Sequence, residues 1–230
     1  MRLLAIDTAG ESCSAALYLD GEIRERFAIQ PQRQSELILP MMDALLAEAG
    51  LRVGDLDALA FGRGPGSFTG VRIATGVVQG AAFAADIPVV PVSTLVALAQ
   101  GHLRETGHAR VLAAFDARMS EVYWAACLPD ASGTMRAIGD ELIVPPAEVP
   151  LPDDGDWHGV GSGWGAYGPV IGGRLGDRVS SVRADAHCRA GDIARIAAVD
   201  FAAGHAVPAE QALPVYLRDQ VAWKRAPQGA

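Results

Sequence analysis

Lysine is all but absent. The only one in the 230-residue chain is Lys224, so arginine carries nearly all the permanent positive charge. A Gly-x-x-x-x-Gly-Lys-Ser/Thr phosphate loop needs lysine at a fixed place, and none exists here. A Schiff-base or protein-kinase lysine in the body of the fold is excluded on the same ground. Cysteine is scarce as well. Cys13, Cys127 and Cys188 are odd in number and far apart. They give neither a disulfide framework nor a CxxC motif, and they suit buried thiols in a reducing compartment. The five histidines, His102, His108, His158, His187 and His205, form no HExxH or HxxxH pair. Surface or satisfied-core roles are expected for them, and no metal site. No long hydrophobic run occurs. Val71 to Ala85 is too short to span a bilayer and contains Arg72 and Gln79. Met1 to Ile6 meets Asp7 too early for a signal peptide. A cytoplasmic protein without membrane contact is expected.

Positive charge is in deficit overall. The formal net charge is −8, which argues against a large nucleic-acid-gripping face, because phosphate contacts need clustered basic side chains. Half of the residues are hydrophobic and 20% are charged, a globular composition for one large domain or two lobes.

Periodicity places the elements. Leu3 to Ile6 reads as a buried strand ending at Asp7. Ser12 to Leu19 and Glu22 to Ile29 read as a hairpin turning at Asp20-Gly21. Ile38, Met41, Met42, Leu45, Leu46 and Ala49 make one helical stripe that stops at Gly50. Pro40 must lie near the start of that helix or kink it. Ala58 to Gly62 is a strand, Thr69 to Ala85 a helix, Pro88 to Val92 a strand, and Ser93 toward Arg104 a helix. Val111 to Asp116 then repeats the opening strand, and Glu121 to Leu128 repeats the second. A Ser132-Gly133 turn returns the chain through Met135 to Val144. This recurrence of strand, terminal Asp and hairpin suggests two lobes on one βββαβα plan, divided as 1–101 and 102–230. The last segment is placed against the first lobe. Between a Val144 to Asp156 loop and that segment, strands are expected at Trp157 to Gly161 and Val179 to Val182, with a short helix between and another from Asp192 to Ala203.

Three features invite a chemical reading. In Gly64-Pro65-Gly66-Ser67-Phe68-Thr69-Gly70, glycines permit positive φ and close approach to a ligand, and the following helix offers free N–H groups to phosphate. A tight, well-capped strand-to-helix turn explains the same residues equally well, with Ser67 or Thr69 as the cap. Asp7 and Asp116 end equivalent strands, which suits either metal–phosphate chemistry in a cleft or simple turn capping. Gly163, Gly165 and Gly168 form a formal GxGxxG, but Pro169 directly after it disfavours a dinucleotide-binding helix. The helix from Thr69 also carries Gly76, Gly80 and Ala84 at four-residue spacing, which admits a second helix closely.

Taken together, Leu4-Ala5-Ile6-Asp7-Thr8, Gly64 to Ile73, Asp116-Ala117-Arg118 with Glu121-Val122-Tyr123, and Pro214-Val215-Tyr216-Leu217-Arg218 resemble the TsaB (YeaZ) family, in the same order along almost the whole chain. The block Gly64 to Ile73 is the specific one. The resemblance implies an α/β actin/Hsp70/sugar-kinase (ASKHA) fold with two ribonuclease-H-like lobes built on mixed sheets. It implies a subunit without catalytic residues that supports the paralogous TsaD and the ATPase TsaE. Their product is threonylcarbamoyl on the adenosine next to the anticodon of tRNAs reading codons that begin with A. Such a subunit meets tRNA only through the complex, pairs with itself when alone, and has no metal. It has no cofactor of its own, with ATP or ADP only at an interface with TsaD.

The family's contact helices map onto Ser35–Ala49 and Thr69–Ala85. Interface residues are then expected at Ile38, Met41, Met42, Leu45, Val71, Arg72, Gly76, Gly80 and Phe83. A degenerate or composite nucleotide site is expected at Asp7, Thr8, Ser12, Gly64, Gly66, Ser67 and Asp116. Thr94 and Leu98 stand where TsaD carries its metal-binding HxxxH, and neither replaces a histidine ligand. Gln34 departs from the family, which often has histidine there. The rival reading is an ATP-dependent phosphotransferase of the same fold using Asp7 and Asp116 with magnesium. Against it stand Glu11, which repels phosphate beside Asp7, and the lack of an adenosine-binding Gly-Gly motif beyond the single pair Gly172-Gly173.

Overall fold

A computed structural model describes residues 1–218; Lys224 lies outside the described residues. The first sheet contains β1 (Arg2–Asp7), β2 (Ser12–Leu19), β3 (Glu22–Ile29), β4 (Ala58–Gly62) and β5 (Val89–Val92), in the order β3-β2-β1-β4-β5. β1 runs antiparallel to β2 and parallel to β4. The second sheet contains β6 (Val111–Arg118), β7 (Glu121–Pro129), β8 (Met135–Ala137), β9 (Leu142–Val144), β10 (Trp157–Val160) and β11 (Val179–Arg183). Its order is β11-β10-β6-β7-β8, with β9 also on β7. Substituting β6 for β1, β7 for β2, β10 for β4 and β11 for β5 turns one order into the other, and the parallel and antiparallel pairings correspond. The repeat read from Asp7 and Asp116 is therefore a repeat of topology.

The hairpin boundaries follow from turn chemistry. Asp20 and Gly21 both have positive φ, 47° and 102°, the conformation a tight two-residue turn requires. The expected single return strand from Met135 to Val144 is two strands instead. Gly139, at φ 73°, breaks it, and each piece pairs separately with β7.

The helices are α1 (Gln34–Ala49), α2 (Phe68–Ala85), α3 (Thr94–Thr106), α4 (Ser162–Leu175) and α5 (Ala190–Ala202). Pro40 lies within α1, beyond its first turn. α4 is longer than expected and accommodates Pro169 by kinking at Tyr167, where φ is −132°.

Alternation along β1 explains the layering. Leu3 and Ala5 join a central core with α3 and α5, whereas Leu4 and Ile6 join an outer core under α1 and α2. Buried on both faces, the strand reads as one apolar run. In the second lobe Leu112 and Ala114 turn to a third core with Trp124, Trp157, Trp164 and Ile171, under α4. The order of layers is α1 and α2, first sheet, α3 and α5, second sheet, α4.

The two middle helices cross over. α3 comes from the first half of the chain but packs on the second sheet, and α5 comes from the second half but packs on the first. The expected division after residue 101 falls inside α3. The start of α5 is tied to the first sheet: Ala190 N–H donates to Ser14 Oγ at 2.9 Å, and Gly191 N–H and Arg189 donate to Glu25. Arg104 of α3 grips the buried carboxylate of Asp192 through Nε at 2.8 Å, which joins the two crossed helices. No described helix is long and apolar enough to cross a membrane.

Candidate functional site

The Gly64–Gly70 loop closes on the chain itself. Gly62 ends β4, and a side chain there would strike Asp7 Oδ1 at 2.3 Å. At Gly66 an added Cβ would meet Ala9 O at 2.6 Å, and at Gly70 it would meet Thr8 O at 2.0 Å. These glycines let the loop lie flush against the β1–β2 loop. Ser67 N–H donates to Ala9 O at 2.7 Å and Thr8 Oγ1 to Gly70 O at 2.6 Å. Gly64, at φ 99°, takes Thr94 N–H on its carbonyl at 3.1 Å. Ser67 is the N-cap of α2. The close-approach glycines are thus filled by protein, where the phosphate-cradle reading needed them open. Gln34 joins the same arrangement, donating through Nε2 to Gly10 O at 2.9 Å.

The two aspartates have different surroundings. Asp7 is fully buried, and burial raises its carboxyl from the usual 3.8 to about 6. Ala9 N–H and the Cys188 thiol oppose that shift, but Oδ2 has no partner among the described residues. Ser12 is also buried, its hydroxyl on Cys188 O at 3.3 Å. Asp116 is held by Arg118, through the backbone N–H at 2.8 Å and Nη1 at 3.0 Å. An open cleft of about 720 Å³ is lined by residues that include Arg63, Ser93, Arg136, Glu141, Asp200 and Leu217. Neither Asp7 nor Asp116 lines it. Asp7 has no solvent exposure and lies against Gly62, whereas Asp116 is partly exposed. Thr94 and Leu98 are buried, and Thr94 Oγ1 donates to Pro65 O.

The other candidate surface is helical. Ile38, Met42 and Leu45 point inward, with Val78 and Ala82 of α2 in the same outer core, and Val71 is buried as well. These four expected interface residues are core residues, because the stripe that periodicity detects on α1 is the one that covers the first sheet. Met41 is half-buried. Arg72, Gly76, Gly80 and Phe83 are exposed along α2, Phe83 to 80%, and Leu39 of α1 is exposed to 52%. Among the described residues, nothing lies within 4 Å of a Cβ built on Gly76 or Gly80. Ala84, also exposed, follows Gly76 and Gly80 at four-residue spacing on the same side of α2.

The C-terminal segment meets the same helix. Val215 N–H donates to Arg63 O at 2.8 Å. Arg72 stacks on Phe68, 3.6 Å from the ring centre, and donates from Nε to Tyr216 Oη at 2.8 Å. Arg218 reaches the second lobe, donating to Ala117 O at 3.1 Å and to Glu121. Blocks far apart in sequence, Gly64–Ile73, Asp116–Glu121 and Pro214–Arg218, are thereby joined. Sequence reasoning named all three and placed the last segment against the first lobe; the contact of Arg218 with the second lobe was not among its expectations.

A histidine cluster was also missed. His108 and His158 stack with ring centres 3.8 Å apart, and His102 lies 5.6 Å from His158. His102 is buried with neither ring nitrogen partnered among the described residues, which departs from the expectation of surface or satisfied-core roles. Burial and its neighbours His158, Arg183 and His108 lower its pKa from 6.5 to about 4. Among the described residues, no group of three or more His, Cys, Asp or Glu side chains is placed to hold a metal ion.

The topology of two sheets on one plan, with crossed helices between them, is that of the actin/Hsp70/sugar-kinase class. Comparison with known proteins gives the family. A family model described as TsaD, tRNA N6-adenosine threonylcarbamoyltransferase, matches residues 29–156. The tRNA threonylcarbamoyladenosine biosynthesis protein TsaB of Escherichia coli K12 is 46% identical, over 99% of each chain. The protein of the same name from Haemophilus influenzae is 37% identical, over 99% of this chain and 98% of its own. The solved structure of YeaZ from Pseudomonas aeruginosa superimposes with a TM-score of 0.88 at 47% identity, covering 94% of this chain and 99% of that one. The chain belongs to the TsaB (YeaZ) family.

Proposed function

We propose that the chain acts in the synthesis of tRNA threonylcarbamoyladenosine as a non-catalytic subunit that docks TsaD through the exposed side of α2. In this reading TsaD, with the ATPase TsaE, carries out threonylcarbamoyl transfer to the adenosine next to the anticodon of tRNAs reading codons that begin with A. The work is cytoplasmic, tRNA is met through the complex, and ATP or ADP binds only where TsaD completes a site. The names of the full-length relatives support the pathway.

One observation carries the docking surface. A glycine inside a helix costs about 1 kcal/mol relative to alanine. Gly76 and Gly80 carry that cost with open space around them, so nothing among the described residues requires their smallness. A partner helix pressed against α2 would require it. Phe83, 80% exposed and three residues after Gly80 on α2, supplies an apolar anchor beside the small residues. The same uncovered face favours two-fold self-pairing in the isolated chain, with which TsaD competes.

Sedimentation of the chain mixed with TsaD tests this. Wild type should form a heterodimer. Gly80→Leu, which fills the groove without touching the core, should fold normally and weaken association by about a hundredfold or more, the scale of a lost interface centre. Unchanged affinity for a folded Gly80→Leu would place the interface elsewhere.

A further inference from the structure

The segment Pro214–Arg218 touches both lobes and the α2 face at once. Val215 N–H donates to Arg63 O at 2.8 Å, at the mouth of the cleft whose wall includes Leu217. The Tyr216 ring lies 5.7 Å from that of Phe68, and its hydroxyl accepts from Arg72 at 2.8 Å. Two residues later, Arg218 binds Ala117 O and Glu121 across the turn between β6 and β7. That turn is unusual in itself. Arg118, Met119 and Ser120 all have left-handed φ, 62°, 54° and 60°, and none is glycine. Non-glycine residues rarely hold that conformation, and three in succession persist only where surrounding contacts over-determine them. Arg218 supplies such contacts, and Asp116 supplies one more through Arg118.

We propose that Pro214–Arg218 is a strap that couples the α2 face to the second lobe: a change at Phe68 and Arg72 is transmitted through Tyr216 to the Arg218 anchor and alters the order of the Arg118–Ser120 turn. Phe68 and Tyr216 are 56% and 42% exposed and Arg72 is exposed beside them, so a body docked on α2 meets the strap. Met119, 73% exposed at the tip of the turn, would report the change to anything bound there. The use of this coupling as a response to TsaD rests on the docking reading above. The coupling itself is a property of the isolated chain. Such transmission needs contacts that can change at both sites, and the strap makes contacts at both its ends.

Amide hydrogen exchange of the isolated full chain tests it. Arg218→Ala and Arg72→Ala should each speed exchange in residues 117–122 by about tenfold, the scale of one lost charged hydrogen bond. Exchange in β10 and β11 should stay unchanged. No change in 117–122 for Arg218→Ala, or a change there for Arg218→Ala but none for Arg72→Ala, would overturn the strap. Equal acceleration in β10 and β11 would overturn it too, by showing general loosening. A second arm adds TsaD. Protection of α2 together with altered exchange in 117–122 supports transmission. Protection of α2 with 117–122 unaltered contradicts it. Unprotected α2 counts against docking alone, and the Arg72→Ala result still decides the strap.

Discussion

Gly70→Ala should destabilise the protein by about 3 kcal/mol or more, whereas Gly76→Ala and Gly80→Ala should each stabilise it by about 0.5–1 kcal/mol. All three positions lie in α2, so helix propensity alone predicts a gain at each. Surroundings reverse the sign at Gly70. Its added methyl would stand 2.0 Å from Thr8 O, 3.0 Å from Thr8 C and 3.2 Å from Ala9 Cα. These are backbone atoms, and they cannot rotate away as a side chain could. The Thr8 hydroxyl bond to Gly70 O and the Ser67 bond to Ala9 O would be disrupted by the same displacement. At Gly76 and Gly80 the methyl enters open space. Urea denaturation of the three variants checks the prediction. A Gly70→Ala variant as stable as wild type would mean that the two loops are not in contact.

The second large effect depends on pH and requires two groups of opposite sign. His102 has its pKa lowered to about 4 by burial, so the folded form stays neutral where the unfolded form has taken a proton. Its contribution is present above 6.5 and is lost as pH falls from 6.5 toward 4. Asp7 is the reverse case. Its pKa is raised to about 6 by burial, so its favourable contribution is present below 3.8 and is lost as pH rises through 6. At about 1.4 kcal/mol per pKa unit, each swing is worth about 3 kcal/mol, and between pH 4 and 6 the two oppose each other.

Variants separate them. Asp7→Asn should be more stable than wild type near neutrality by about 2–3 kcal/mol, with the gain gone near the usual aspartate pKa of 3.8. His102→Phe should keep its stability on acidification better than wild type does. Urea midpoints at neutral and mildly acidic pH decide both. A constant offset between Asp7→Asn and wild type at all pH values would show that Asp7 is not buried as a carboxylate.

The elements were largely legible because their signals are local. The strand spans 12–19 and 22–29 follow from alternation plus a two-residue turn, and they match β2 and β3. The repeat was legible because a strand ending in Asp and followed by a hairpin is a short-range pattern. What escaped depends on which parts meet in space. Periodicity on α1 detected an apolar stripe, but Ile38, Met42 and Leu45 serve the sheet beneath, and a stripe carries no label for its neighbour. Gly66 and Gly70 look alike whether the close approach is by a phosphate or by Thr8 and Ala9. Gly76 and Gly80 suit a partner by their smallness alone, and only the structure shows that none of the described residues lies against them. His102, His108 and His158 belong to three separate segments, so no spacing rule joins them. The crossing of α3 and α5 between sheets is likewise invisible to composition and pattern, which is why a boundary at residue 101 falls within a helix.

The central claim is that this chain performs no chemistry alone and acts by docking. Reconstituted threonylcarbamoyl transfer to tRNA, with the chain, TsaD and TsaE supplied singly and together, tests it most directly. The account predicts no transfer and negligible ATP turnover by the chain alone, and transfer by TsaD and TsaE that rises sharply when the chain is added and fails to rise with Gly80→Leu. Robust magnesium-dependent ATP turnover by the chain alone, abolished by Asp7→Ala or Asp116→Ala, would contradict it.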